Sequence, residues 1–214
     1  MYKTALFDLD GTLTDSSEGI ANAIVYALGK FGIEVEDRAS LRVFMGPPLA
    51  ESFNKYYGLC GEDVDRVIRY YREYYSEKGI WENKPYPEMH DVLKTLREGG
   101  VRTGLSTAKP LPFAEKIIKK FGFYDYFDDV RGATFDGSVI TKEQVVALSV
   151  QKFGKIGTVM VGDRDNDVYG AKANGIDCIG VLYGFGTREE LEAAGVKHIA
   201  ETPEDIIRIV LKGR

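Results

Sequence analysis

Two aspartates near the amino terminus are the first residues whose spacing indicates chemistry. Asp8 and Asp10 directly follow residues 4–7, a short apolar run typical of a buried parallel strand, and Gly11 permits a turn after them. Because two such close carboxylates repel each other, a cation would stabilise the pair, and oxygen ligands without histidine or cysteine favour magnesium. A solvated turn at a strand end is the alternative interpretation.

Further polar residues occupy equivalent positions along the chain. Thr107 ends a second predicted strand, and Asp163 and Asp167 follow a later one. Lys142 begins a predicted helix. Since the carboxyl ends of strands in an open α/β sheet share one edge, we expect these side chains to converge with the first pair.

The expected cluster fits a phosphoryl group, whose developing negative charge must be held while a nucleophile approaches in line. Asp8, Asp163 and Asp167 can supply oxygen ligands for Mg²⁺ or support them. Thr107 can donate a hydrogen bond, and Lys142 supplies a fixed positive charge. Asp8 is the expected nucleophile, which would form an aspartyl-phosphate.

Two other residues compete with Lys142 for the role of the cation. Lys109 lies close to Thr107, and Arg164 directly follows Asp163. A lysine at a helix start opposes the helix dipole unless an anion is nearby, so its position favours Lys142.

The elements that must position these residues form an α/β pattern. From residue 87 onward, strands alternate with helices, which predicts a parallel sheet with right-handed crossovers. We expect a core domain at residues 1–15 and 84–214, and a cap domain at residues 16–83, which contains helices and no convincing strand. Residues 14–15 and 83–87 are the hinge candidates.

Local signals predict where several helices begin and end. Ser16 and Ser17 are expected to cap the first helix, and Gly32 to end it. A later helix is predicted at residues 62–78, and a capping box at residues 187–190.

Composition excludes several classes of protein. The 214 residues carry a formal net charge of -5, which argues against nucleic-acid binding by bulk electrostatics but permits a small phosphorylated partner at a local positive site. No basic and apolar leader or membrane-length apolar run is found, so we expect a cytoplasmic protein without membrane contact. Cys60 and Cys178 are expected to be reduced. The sequence leaves monomer and homodimer open.

Four motifs in the same order resemble those of the haloacid dehalogenase superfamily of phosphatases. They are Asp8-Leu9-Asp10-Gly11-Thr12, Thr107, Lys142, and Gly162-Asp163 through Asp167. Residues 44–49 and 181–184 are similar to the phosphoglycolate phosphatase and 5′-nucleotidase-like branch, which has a helical cap. The resemblance implies a Rossmann-like parallel-sheet core with an inserted all-α cap.

The resemblance also implies roles for individual residues. Asp8 would attack phosphorus, and Asp10 would protonate the leaving oxygen and then activate water. Mg²⁺ would be held by Asp8, the Asp10 carbonyl and Asp163, with Asp167 supporting that site. The substrate-binding candidates are Gly11, Thr12, Thr107, Ala108, Lys109, Arg42 and Gly46.

The sequence therefore predicts a magnesium-dependent phosphatase that hydrolyses a small phosphomonoester. One alternative is a phosphomutase of the β-phosphoglucomutase type, which would share the core residues. The other is a non-catalytic regulatory protein that binds phosphate. For Arg42 and Gly46, a loop that caps a helix explains the sequence as well as substrate recognition does.

Overall fold

The computed structural model describes residues 1–212, which form two compact units. One unit contains Met1–Thr14 and the chain from Pro85 onward, and the other is Asp15–Lys84. The strands are β1 (Thr4–Phe7), β2 (Thr14–Asp15), β3 (Lys84–Pro85), β4 (Arg102–Pro110), β5 (Asp129–Ala133), β6 (Thr158–Gly162), β7 (Asp177–Val181) and β8 (His198–Ala200). In the part of the chain that the structure describes, we find no helix with the length and apolar character needed to cross a membrane.

The larger unit is built on a six-stranded sheet in the order β5-β4-β1-β6-β7-β8, and all its strand pairs are parallel. The central strand β1 is completely buried, and Phe7 pairs with Leu105 on one side and Val161 on the other. A strand covered on both faces is rich in apolar residues, which explains the run Ala5-Leu6-Phe7. The predicted α/β fold with a parallel sheet is confirmed.

Helices surround this sheet and form most of the second unit. Those of Asp15–Lys84 are α1 (Ser17–Gly29), α2 (Leu49–Tyr57) and α3 (Glu62–Tyr74), with a 3₁₀ helix at Arg38–Phe44 and a π-helical turn at Tyr75–Gly79. Those of the larger unit are α4 (Met89–Glu98), α5 (Leu111–Lys120), α6 (Lys142–Phe153), α7 (Asp165–Ala173), α8 (Arg188–Ala193) and α9 (Pro203–Lys212). A short 3₁₀ helix, Tyr124–Tyr126, precedes β5.

One apolar cluster fixes α6 and α7 against the sheet. Val146 of α6 and Val168 of α7 pack with Leu6 of β1 and Met160 of β6, and all four side chains are fully buried. Burial of each such side chain contributes roughly 1.5–3 kcal/mol. Because both helices are held on the sheet in this way, their first residues lie at its carboxyl edge.

Aromatic side chains pack in pairs within the helical unit. Tyr71 and Tyr75 are buried and stacked, with ring centroids 5.4 Å apart, and Phe44 meets Phe53 edge to face at 5.0 Å. Such pairs add to the stabilisation that burial provides. These tyrosines therefore pack within the unit.

Several predicted helix boundaries are wrong. Ser16 makes no side-chain cap, because Asp15 Oδ1 accepts from the Ser17 N–H at 3.0 Å. Helix α1 ends at Gly29, and Gly32 lies in the following turn with a φ of 70°. The helix predicted at residues 62–78 does begin at Glu62 and the chain stays helical to Gly79, but its last turn, from Tyr75, is π-helical.

Three further departures arise from tertiary contacts. The capping box at residues 187–190 is only half formed: Thr187 accepts from the Glu190 N–H, but the Glu190 carboxylate accepts from Arg164 Nε at 2.6 Å and from the Asp165 N–H. Strand β4 continues to Pro110 through a register shift. Strand β8 was not predicted from the sequence.

Candidate active site

Two adjacent strands bring the first and last acidic motifs together. Asp8 follows β1 and its N–H donates to the Val161 carbonyl of β6 at 2.9 Å, while Asp163 follows β6 itself. Asp167 lies in the first turn of α7. Each of these three buried aspartates offers a carboxylate oxygen within 4.8 Å of the others. The structure therefore brings together the acidic residues that sequence spacing selected.

Lys142 supplies the positive charge at this cluster. Its Nζ lies 2.7 Å from Asp8 Oδ1 and 2.8 Å from Asp167 Oδ1, and it also donates to the Ser106 carbonyl at 3.2 Å. The one ammonium is therefore paired with two buried carboxylates. The two carboxylates are the nearby anions that a lysine at the start of α6 requires.

The other cation candidates have different partners. Lys109 is mostly buried, and its Nζ lies 2.5 Å from Asp10 Oδ2. Arg164 forms an ion pair with Glu190. Thus Lys142 contacts the aspartate proposed as nucleophile, and Lys109 contacts the one proposed as acid and base.

Backbone and hydroxyl groups complete the surroundings of Asp8. The buried Thr107 hydroxyl hydrogen-bonds to the Asp8 carboxylate and also accepts from the Lys109 N–H at 3.2 Å. Thr141 caps α6 in a complete capping box with Gln144. This cap fixes the position at which Lys142 enters the site.

Two glycines make room for the cluster, and only Gly162 was singled out from the sequence. A Cβ at Gly170 of α7 would lie 2.7 Å from Cγ of Lys142, and one at Gly162 would overlap the Asp167 carboxylate. The lysine can pass α7 only because Gly170 has no side chain. For Gly170, a glycine three residues after Asp167 was the available signal.

Burial and charge shift the acid–base properties of the cluster. Burial, partly opposed by Lys142, raises the pKa of Asp8 to about 6. Burial and the neighbouring Asp167 and Asp8 carboxylates raise the pKa of Asp163 well above its usual value. For Lys142, burial alone would lower the pKa, but Asp167 and Asp8 outweigh it and hold the pKa above its usual value.

The donor set fits a hard divalent cation. Three buried carboxylates face one ammonium, which leaves an excess of negative charge when all are ionised. Asp163 Oδ1 is buried and accepts no hydrogen bond from residues 1–212. Only oxygen atoms are offered, and such ligands suit Mg²⁺.

The other candidates are divided between the two compact units. Gly11 adopts a left-handed φ of 81° after Asp10, Thr12 is fully buried, and Ala108 is half-buried beside Thr107. Arg42 and Gly46 belong to the Asp15–Lys84 unit, where both are exposed.

The two histidines make local contacts. His90 packs on Phe123 with ring centroids 4.4 Å apart, and His198 Nε2 lies 2.9 Å from the Tyr2 hydroxyl. Neither contact involves an acidic residue of the site.

Comparison with known proteins identifies similar chains. Residues 5–181 match the model of the family described as "Haloacid dehalogenase-like hydrolase". A 5′-nucleotidase of Pseudomonas aeruginosa is 37% identical over 199 residues, covering 92% of this chain and 90% of the relative. The tyrosine-protein kinase PtkA of Mycobacterium tuberculosis is 36% identical over 204 residues, covering 93% of this chain and 69% of the relative.

The fold is also shared with solved structures. A protein named "predicted phosphatase" from Clostridium acetobutylicum superimposes with a TM-score of 0.95 at 41% identity, and the match covers 99% of both chains. The likeness extends over both compact units, because so little of either chain lies outside it.

Proposed function

The chain belongs to the haloacid dehalogenase-like hydrolase family, and we propose that it is a magnesium-dependent phosphatase acting on small phosphomonoesters through an aspartyl-phosphate. The observation that carries this proposal is the buried cluster of Asp8, Asp163, Asp167 and Lys142 at the carboxyl edge of the sheet. The names of similar proteins support hydrolysis of a phosphate ester.

In the first step, a carboxylate oxygen of Asp8 attacks phosphorus and the bond from phosphorus to the ester oxygen breaks. The electron pair leaves with the ester oxygen, which takes the proton from Asp10. Lys142 and the Thr107 hydroxyl hold the Asp8 carboxylate in place for the attack. The alcohol leaves, and phosphate remains bound to Asp8.

In the second step, water replaces Asp8 on phosphorus. The Asp10 carboxylate takes a proton from water as the water oxygen attacks, the bond from phosphorus to Asp8 breaks, and inorganic phosphate is released. Asp10 regains its proton and Asp8 its carboxylate, so the enzyme is restored. Between the steps, the Lys109 ammonium stabilises the ionised Asp10 at its 2.5 Å contact.

Mg²⁺ would be held by Asp8 and Asp163, with Asp167 close enough to join them or to support them. The family resemblance adds the Asp10 carbonyl to this set. When bound, the ion supplies positive charge that stabilises the phosphoryl oxygens as negative charge develops on them.

Stabilisation of the protein by Mg²⁺ is expected to increase as the pH rises through about 6. Below the raised pKa values of Asp8 and Asp163, the free protein carries protons on these carboxylates that the metal must displace, whereas above them the carboxylates are ready to bind. We expect millimolar MgCl₂ to raise the melting temperature more at about pH 7.5 than at about pH 5.

Thermal unfolding with and without MgCl₂ at both pH values tests this expectation. The Asp163→Asn variant should lose most of the shift, while Asp125→Asn, which changes an exposed aspartate of the same unit, should retain it. Equal shifts at the two pH values, or a full shift in Asp163→Asn, would contradict the proposed site.

We further propose that the Asp15–Lys84 unit is the cap domain, inserted into a phosphatase core formed by the rest of the chain. Arg42 and Gly46 are then candidates for selecting the substrate. Nucleoside 5′-monophosphates, phosphoglycolate, pyrophosphate and sugar phosphates are the small phosphorylated partners to consider, because the core residues recognise only the phosphoryl group that they share.

A phosphate-release screen over these compounds and a generic aryl phosphate, with Mg²⁺, tests the function. We expect metal-dependent release from at least one of them. Isomerisation of a sugar phosphate without net phosphate release would favour a phosphomutase, and transfer from ATP to a tyrosine peptide would favour the activity for which PtkA is named. Absence of all turnover in protein that binds Mg²⁺ would favour a non-catalytic phosphate-binding protein.

A further inference from the structure

The segment that follows β7, residues 183–186, lies directly against Asp163. We call this segment, Tyr183-Gly184-Phe185-Gly186, the glycine loop. The Phe185 N–H donates a hydrogen bond of 2.7 Å to Asp163 Oδ2. Oδ1 of the same carboxylate is left without a donor from residues 1–212. The two oxygens therefore have different surroundings, and one is held by the backbone.

Both glycines of the loop are required for this close approach. A Cβ at Gly184 would overlap the carbonyl oxygen of Gly11 and the Cβ of Asp163, and one at Gly186 would overlap the Asp163 carbonyl oxygen. These obstacles are backbone atoms or part of Asp163 itself, so rotation of a flexible side chain cannot relieve the overlap. An alanine at either position must displace the loop or Asp163.

The opposite side of the carboxylate is enclosed as well. A Cβ at Gly11 would overlap the carboxylate of Asp163, which therefore packs on the bare Cα of the first motif. Thus Asp163 lies between Gly11 and the glycine loop, and its side chain has little freedom to rotate.

The glycine loop is itself anchored. Tyr183 donates from its hydroxyl to the Thr12 carbonyl at 3.1 Å and meets Tyr86 edge to face at 4.9 Å. The Phe185 side chain is buried. Because both aromatic residues are fixed, the N–H between the two glycines has a defined position relative to the first motif.

We propose that the glycine loop is the positioning element of Asp163: it holds Oδ2 through the Phe185 N–H and thereby directs Oδ1 to the metal. This inference rests on the magnesium site proposed above. Hydrogen bonds from groups outside the coordination sphere orient ligating carboxylates, and their loss typically weakens metal binding by about 10–100-fold. A neutral N–H performs this task without placing a competing cation next to the ligand.

Gly184→Ala in the full chain tests the proposal by Mg²⁺ titration calorimetry. We expect the dissociation constant to rise by about 10–100-fold, because the added methyl group displaces Asp163. Gly104→Ala is the matched control: its Cβ would meet Phe153 Cε2 at 2.8 Å and Leu6 Cδ2 at 3.1 Å, in the core of the same unit. It should lower the melting temperature but leave the affinity within about twofold of wild type.

A second pair of variants tests the hydrogen bond and does not depend on Gly184→Ala folding. Phe185→Pro removes the N–H that Asp163 accepts, whereas Phe185→Leu keeps both the N–H and an apolar side chain. We expect about 10-fold weaker Mg²⁺ binding in the proline variant and near wild-type binding in the leucine variant.

The outcomes separate the two proposals. If wild type binds Mg²⁺ and Asp163→Asn does not, but Gly184→Ala and Phe185→Pro bind as wild type does, the positioning role is refuted and the metal site stands. If wild type binds no Mg²⁺, the metal site is refuted, and the role of the loop with it.

Discussion

Asp8→Asn is expected to reduce phosphate release by roughly four to six orders of magnitude, the scale of loss on removal of a catalytic nucleophile. Asparagine has nearly the shape of aspartate, but its neutral amide cannot form the acyl phosphate. The measurement is metal-dependent phosphate release from the best substrate of the panel, at saturating Mg²⁺ and substrate.

The melting temperature of Asp8→Asn shows whether the loss of activity comes from the missing nucleophile or from misfolding. Burial raises the pKa of Asp8 to about 6, so its ionised form destabilises the metal-free protein near neutral pH. The asparagine side chain in the variant carries no such charge, and Lys142 still has Asp167 at 2.8 Å, so the metal-free melting temperature should not fall. Asp125→Asn, at an exposed position, should match wild type in both measurements.

Undiminished turnover by Asp8→Asn would refute the covalent mechanism. Because a slow deamidation of asparagine would restore aspartate, Asp8→Ala should be measured alongside it. If both variants keep wild-type rates, water must attack phosphorus directly, and the cluster would serve only to bind phosphate and metal.

Lys142→Ala is expected to have the second largest effect, on both rate and stability. The ammonium contacts Asp8 and Asp167, and both ion pairs are buried. Removing one partner of a buried pair typically costs about 3–5 kcal/mol, because the remaining charge is left uncompensated. We also expect turnover to fall by roughly two to three orders of magnitude, as when one fixed donor to the transition state is removed.

Lys109→Ala is the matched comparison. It removes a lysine that is as buried as Lys142. Because its partner Asp10 is partly exposed, the loss of stability should be smaller than in Lys142→Ala. Urea unfolding and phosphate release for both variants give the test. A larger loss of rate in Lys109→Ala than in Lys142→Ala would assign the principal cation to Lys109.

The fold could be predicted from the sequence because most of its strands and helices have a clear pattern of apolar residues. Residues 4–7 were identified as a buried strand by an unbroken apolar run, and β1 has these bounds. The helix predicted to begin near Lys142 does begin there. Short elements with weak patterns, such as His198–Ala200, depend on pairing with a neighbouring strand and were missed.

Some local signals were overridden by neighbouring residues. Ser16 has the residue type of a helix cap, but Asp15 is the side chain that accepts from the helix N–H. Glu190 has the correct spacing for a capping box, but its carboxylate binds Arg164 and the Asp165 N–H. A charged partner and a second backbone donor offer more stabilisation than the local cap.

The sequence by itself determined the α/β fold and the acidic residues that gather at one edge of the sheet, because apolar periodicity and the order of strand ends are local properties of the chain. Only the tertiary structure decided that Lys142 contacts Asp8 while Lys109 contacts Asp10. It also decided that the Phe185 N–H holds Asp163. Those partners are distant in sequence, and packing of α6, α7 and the glycine loop against the sheet sets the distances between them.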